Sequence, residues 1–306
     1  MQVSTSPIFS IIIPVYNREH TVSNAIKSVL GQTFLNFELI IVDDCSTDQS
    51  VDLIKSFNDN RIRFFEMPTN SGAAAARNNG IKNAKGIYIS FLDSDDAYEP
   101  DFLKESYDLL CDTSSKIGFM WTGVNRIENN HIHQESWSPK FIQNSYFTFL
   151  NALHIGTNSG ITIKKEVFEK CGYFNENLQA AEDTDFFLRI TKDFDYVFTT
   201  KTLMNVYRDG HDRLSKNLQK NAKAYQEIFP QHKAVIDTSK KLQKKYYYKM
   251  MWLSFYLPDK KLAFNYFSFL IKNKLIDTKI VFIFFSYLIL PFSLSSELHR
   301  KLSASK

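Results

Sequence analysis

Three short acidic clusters carry the residue types from which group-transfer chemistry is made. Asp93-Ser94-Asp95-Asp96 directly follows the apolar run Tyr88-Ile89-Ser90-Phe91-Leu92. Three carboxylates this close repel one another unless a cation or an array of donors offsets them. Mg2+ or Mn2+, held by one or two carboxylates together with substrate phosphates, is one solution. Such a metal bridges a pyrophosphate and stabilises charge on the departing diphosphate. The other solution is a turn whose aspartates cap the following helix. Asp43-Asp44 is followed by Cys45-Ser46-Thr47-Asp48. A cap alone does not need two acids ahead of it, whereas a carboxylate there suits the imide N–H of a pyrimidine base. Glu182-Asp183-Thr184-Asp185 precedes Phe186-Phe187-Leu188 and looks like a helix start. Acids at that place either complement the helix dipole or include a general base for a hydroxyl, Asp183 or Asp185. His211, within Tyr207-Arg208-Asp209-Gly210-His211, is a third metal ligand, a phosphate contact or a solvated side chain.

These clusters need a scaffold that brings them together. Phe9–Val15, Phe37–Val42, Ile62–Phe65, Ile87–Leu92 and Ile117–Trp121 are short apolar runs of strand type. Between them, Val22, Ala25, Ile26, Val29 and Leu30 fall on one helical face. Leu53, Ile54 and Phe57 predict a second helix, capped by Ser46 or Thr47. Ala73–Ala84 predicts a third, and a fourth begins near Pro100. The alternation predicts an α/β fold, a mostly parallel sheet flanked by helices, with ligands beyond the carboxyl ends of the strands. Tyr16-Asn17, Asp43-Asp44 and Asp93–Asp96 all follow such ends. The turn after the first strand, Tyr16-Asn17-Arg18-Glu19, lacks the glycines of a dinucleotide fingerprint, and no phosphate-loop lysine motif is present.

Charge divides the chain. From Lys240 to Lys306 there are 13 Lys and Arg against three acids, whereas the preceding residues hold 24 basic and 30 acidic side chains. The basic tail is rich in aromatics and carries the apolar run Ile280–Phe292, interrupted by Pro291. A bilayer span needs roughly 20 apolar residues. The tail therefore predicts a helix lying in a membrane interface, or else a helical subdomain packed on protein. The interleaved aromatics favour a membrane surface over nucleic acid as partner. Cys45, Cys111 and Cys171 show no metal or redox spacing and are expected to be free thiols. The apolar start at Phe9 is too short for a signal peptide and, with the unpaired thiols, predicts a reducing, cytoplasmic compartment.

The ordered motifs resemble family-2 glycosyltransferases, which are inverting enzymes with the GT-A fold, of the type that builds bacterial polysaccharide, O-antigen or capsule. The resemblance rests on Phe9–Asn17, Ala25–Thr33, Phe37–Asp48, Asn70–Gly80 and Ala84–Asp96, and more loosely on Cys171–Phe174, Glu182–Asp185 and Tyr207-Arg208. It implies a catalytic domain over 1–217, with a donor half (1–122) and an acceptor half (123–217), and a helical region over 218–306. Pro14, Tyr16 and Asn17 would line the nucleotide pocket, and Asp44, with Asp43, would read the base. Arg77 would contact the donor, a UDP-sugar above other nucleotide sugars. Asp93 and Asp95 match the metal-and-ribose motif, which Asp96 extends. Asp183 matches the catalytic base, with Asp185 as runner-up, and the acceptor would be a saccharide or lipid-linked saccharide hydroxyl. Two positions depart from the family pattern. His211 stands three residues after Arg208 rather than two, and Cys45 replaces the commoner glycine. Transfer to polyprenyl phosphate, and a non-catalytic nucleotide-sugar scaffold, are the rival readings. Oligomerisation is left open.

Overall fold

A computed structural model of the chain describes residues 6–129, 131–139, 143–152, 160–208 and 217–304. They form two compact units, Met1–Asn177 with Glu182–His211, and Leu178–Ala181 with Asp212–Lys306. The first is built on one nine-stranded sheet among the described residues. At its centre lies β1 (Phe9–Val15), every residue of which is buried. Ile11, Ile12 and Ile13 have no exposed surface. Burial of each such side chain stabilises by up to about 1.5–3 kcal/mol.

The strand–helix alternation expected of the first hundred residues is present. α1 (Val22–Leu30) buries Val22, Ala25, Ile26 and Val29, the face that the spacing predicts. β2 (Phe37–Asp43), α2 (Ser50–Lys55), β3 (Ile62–Glu66), α3 (Ala73–Asn83) and β4 (Tyr88–Phe91) follow. α2 starts at Ser50, later than a cap at Ser46 or Thr47 requires. The Ser46 hydroxyl accepts instead from the Asn17 amide at 2.9 Å. The fourth expected helix, α4 (Phe102–Leu110), begins two residues after Pro100.

β3, β2, β1 and β4 are all parallel neighbours. The chain winds outward from β1 on one side and then crosses to the other, so the strand order reverses between β1 and β4. Ligands collect at such a switch point, outside the carboxyl ends of the strands. Past β4 the sheet becomes mixed, which the expectation of parallel continuation did not include. β8 (Ile161–Lys164) lies antiparallel between β4 and β6 (Ile117–Glu128). β9 (Asp195–Tyr207) then runs parallel to β6, and the short β5 (Asp96–Tyr98) pairs antiparallel with β9. β7 (His131–Glu135) hangs on β6 as a hairpin partner. α5 (Ser145–Ala152), α6 (Lys165–Cys171) and α7 (Glu182–Ile190) complete this unit.

α3 approaches β1 closely because Gly80 has no side chain. A Cβ there would lie 2.5 Å from Ile12 Cγ2, a branched methyl that cannot swing aside. Gly80→Ala should therefore destabilise by about 1–3 kcal/mol in urea unfolding, despite the better helix propensity of alanine.

The second unit is helical: α8 (Leu218–Ile236), α9 (Lys240–Ser254), α10 (Lys261–Lys272), α11 (Thr278–Ile289) and α12 (Phe292–Ala304). Asn217, Ser239 and Asp277 cap three of these helices through their side chains. The apolar run Ile280–Phe292 is split at Pro291, α11 ending before the proline and α12 starting after it. α11 buries Ile280, Ile283, Phe284 and Tyr287 within the unit. Stacked rings join the helices, Phe267 on Phe284 at 3.8 Å and Tyr247 on Phe269 at 3.6 Å. Among the described residues, no helix is long and apolar enough to cross a membrane.

Candidate active site

The acidic clusters meet at the carboxyl ends of β1, β2 and β4. Two turns are laced together there. Asn17, in a left-handed backbone conformation (φ 50°), donates its amide to Ser46 Oγ and accepts the Thr47 amide on Oδ1 at 2.8 Å. Pro14 is buried in β1 opposite Val42, whereas the Tyr16 ring is 44% exposed at the rim. Cys45 adopts φ 66°. That region penalises any Cβ, which is a physical reason for glycine to be the commoner residue at this turn.

Asp43 and Asp44 are both buried but do different things. Asp44 accepts the Ser71 amide on Oδ1 and the Gly72 amide on Oδ2, each at 2.7 Å. It thereby fastens the loop that leads into α3. Asp43 Oδ2 accepts the Ser46 amide at 2.9 Å. Its Oδ1 is buried and has no hydrogen-bond partner among the described residues. A buried carboxylate oxygen without a donor is costly unless a ligand supplies one. Hydrogen bonds to charged groups contribute about 1.5–3 kcal/mol each, so Asp44→Ala should lower unfolding free energy by about 2–4 kcal/mol. Asp44→Asn keeps one acceptor and should recover roughly half of that loss in the same urea titration.

The Asp93–Asp96 turn is pinned at several points. The Leu92 amide donates to the Ile12 carbonyl, the Asp96 amide to the Asp93 carbonyl, and the buried Tyr98 hydroxyl to the Phe91 carbonyl at 2.7 Å. Asp96, 4% exposed, starts β5 and accepts the Tyr207 amide from β9. One carboxylate oxygen from each of Asp93, Asp95 and Asp96 lies within 4.8 Å of the others. An all-carboxylate oxygen set at that spacing fits a hard divalent cation such as Mg2+ or Mn2+. His211 lies outside the described residues.

Arg77 joins this turn to the Glu182–Asp185 cluster. It is 5% exposed on α3. Its Nη2 donates to Asp93 Oδ1 at 2.8 Å and its Nη1 to Glu182 Oε1 at 3.0 Å. Burial opposes its charge, but Asp93, Glu182 and Asp183 outweigh that and hold its pKa above the ordinary value. Asp183, beside Glu182 at the start of α7, is instead pushed toward its neutral form. Burial first, and then the Glu182 charge, raise its carboxyl to about 7, against the opposing Thr184 amide and Arg77. Asp185 is buried and bound to Arg189 Nε at 2.9 Å. The same guanidinium holds the Cys171 and Tyr173 carbonyls. Asp185 is thus built into the support of α7, whereas the neighbouring Asp183 carries a raised carboxyl.

Asn78 and Tyr98 complete the support, and no spacing in the sequence singled them out. Asn78, next to Arg77, donates to the Phe174 carbonyl and to Glu176 Oε1 and accepts the Phe174 amide. It clasps the segment that follows α6 to α3. Asn78 has no signal in the sequence beyond adjacency to Arg77, because its partners lie nearly a hundred residues away, and Tyr98 none beyond its place just after the Asp93–Asp96 turn.

The family profile described as Glycosyl transferase family 2 matches residues 10–172, more than half of the chain, including Asp43, Asp44, Arg77 and the Asp93–Asp96 turn. The chain belongs to that family. It is accordingly a glycosyltransferase, and the mixed sheet flanked by helices is a GT-A fold. An uncharacterised glycosyltransferase of Rickettsia typhi, RT0329, is 30% identical over 89% of this chain and 91% of its own length. WfgD of Escherichia coli, named a UDP-Glc:alpha-D-GlcNAc-diphosphoundecaprenol beta-1,3-glucosyltransferase, is 39% identical over 44% of this glycosyltransferase and 53% of its own length. Among solved structures, residues 1–349 of Staphylococcus aureus TarS with UDP-GlcNAc superpose with a TM-score of 0.65, at 18% identity. That match covers 95% of this chain and 89% of TarS 1–349.

Proposed function

We propose that this glycosyltransferase moves a sugar from a UDP-sugar to a hydroxyl of a saccharide or lipid-linked saccharide, with inversion, during cell-surface polysaccharide assembly. The observation that carries the reading is the chain of contacts Asp93–Arg77–Glu182 beside the raised carboxyl of Asp183. It sets a cation-suited turn next to a carboxylate whose protonation changes near neutrality, as a general base requires. Asp183 takes the proton from the acceptor hydroxyl. The acceptor oxygen then bonds to the anomeric carbon from the face opposite the departing nucleoside diphosphate, whose glycosidic C–O bond breaks. Asp43 Oδ1 accepts the imide N–H of the base, and Tyr16 covers the ring at the rim. Asp93, Asp95 and Asp96 would hold Mg2+ or Mn2+, which when bound supplies charge stabilisation at the diphosphate.

A hydroxyl acceptor is favoured over polyprenyl phosphate because a phosphate nucleophile is already anionic and has no use for a base near pH 7. WfgD, named for a lipid-diphosphate-linked acceptor, supports an acceptor of that kind. The basic tail supports work at the inner face of the cytoplasmic membrane. Calorimetric titration of UDP, GDP and dTDP, with and without Mn2+, tests the donor site. UDP binding that strengthens at least tenfold with Mn2+ and loses that gain in Asp95→Ala is the expected result. Absence of binding by every nucleotide would overturn the proposal.

A further inference from the structure

The helical unit carries an apolar face that its own packing leaves in solvent. Phe282, Phe285, Leu288 and Ile289 project from α11, and Phe264 and Ile271 from α10. Exposures of 51% for Phe282, 47% for Phe285 and 77% for Ile289 are far above those of Ile283 and Phe284 between them, which are buried. An exposed ring of each helix reaches a buried ring of the other. Phe264 meets Phe284 at 5.1 Å, and Phe285 meets Phe267 at 6.3 Å. Contiguous apolar surface of this kind marks an interaction site.

Lysines stand at both ends of α10. Lys260, Lys261, Lys272 and Lys274 are exposed, and no ion pair is found for them among the described residues. The nearby acids are occupied: Asp259 accepts the Lys261 amide, and Asp277 is paired with Lys244 at 2.8 Å. An apolar face rimmed by unpaired cations complements an anionic headgroup layer over an acyl interior. A second copy of this chain suits it poorly, because a two-fold contact brings the same lysines of both copies to one rim.

We infer that the α10–α11 face is the membrane-docking surface, with Phe282, Phe285 and Ile289 inserted among anionic lipids and the four lysines at the headgroups. This rests on the proposal above that the enzyme works at a membrane. It also assigns the contact to one side of a folded helical layer, rather than to the whole run from Ile280 to Phe292.

Full-length protein is to be sedimented with phosphatidylcholine vesicles, pure or containing about one third phosphatidylglycerol. The wild type should partition onto the anionic vesicles at least tenfold more than onto the neutral ones. Phe282→Ser/Phe285→Ser/Ile289→Ser should lose at least tenfold of that partitioning while UDP binding is retained. Phe282→Trp should be quenched by brominated acyl chains, a readout independent of any loss of binding. Wild-type binding with an unaffected triple variant and no quenching overturns this assignment and leaves the membrane reading intact. No vesicle binding by the wild type removes both. A triple variant that turns dimer into monomer without changing vesicle binding gives the face to a second copy.

Discussion

Asp183→Asn should reduce kcat by about 10²–10⁴-fold, the range that loss of a general base produces, while leaving nucleotide affinity near that of the wild type. The substitution keeps the shape of the side chain and its ability to accept the Thr184 amide at the start of α7. The wild-type enzyme should show kcat/KM rising with pH up to about 7 and levelling above it. The reason is that Asp183 is raised to that value, by burial first and by Glu182 second, and only its carboxylate accepts a proton. The variant should lose this limb of the profile together with the rate. The sign for stability is opposite. A carboxyl whose folded pKa exceeds the ordinary 3.8 binds more protons folded than unfolded between 3.8 and about 7. Its contribution is therefore lost as pH rises through that interval. Above about pH 7 the Asn variant should melt no lower than the wild type, and below about pH 4 the difference should shrink. Unchanged turnover in Asp183→Asn would remove this residue from the role of base.

Replacement of Arg77 should have the largest effect on folding and activity together. Its guanidinium is the only cation bonded to Asp93 and Glu182 among the described residues. Arg77→Met keeps the apolar stem but removes the guanidinium that bridges Asp93 and Glu182 and lies beside Asp183. Breaking one side of a buried ion pair costs about 3–5 kcal/mol, reduced here because Asp93 is 31% exposed. A loss of about 2–4 kcal/mol in urea unfolding is therefore expected. Arg77 also holds the Asp183 carboxyl down against burial, so the pH–rate profile of the variant should move to higher pH. Arg77→Lys should rescue little, because one ammonium cannot fork between two carboxylates as a planar guanidinium does. A stability change below about 1 kcal/mol, with an unmoved pH profile, would mean that the bridge is incidental.

Local pattern was enough for much of this protein. The apolar runs of β1, β2 and β4 and the helical face of α1 follow from periodicity, and periodicity is a property of neighbours along the chain. The acidic clusters were legible for the same reason, since each is contiguous and either lies at the end of a strand, as Asp43-Asp44 and Asp93–Asp96 do, or starts a helix, as Glu182–Asp185 does. Pro291 ended a helix where its ring must, because proline lacks the amide that the helix needs.

Division of labour within those clusters was decided by contacts between residues far apart in sequence. Asp43 and Asp44 are alike as letters. Only the return of the loop at Ser71 and Gly72 commits Asp44 to backbone amides and leaves Asp43 with a buried oxygen lacking a donor. Asp183 and Asp185 are separated by burial beside Glu182 at the one and, at the other, by Arg189, an i,i+4 partner that the fold fixes through the Cys171 and Tyr173 carbonyls. Insertion of antiparallel β8 between β4 and β6 has no local signature either, because strand order depends on which edges close the core. Sequence alone supplied the chemistry available at each strand end. The tertiary structure determined which carboxylates remained uncommitted, because hydrogen-bond partners and desolvation are set by whatever the fold brings within about 3 Å.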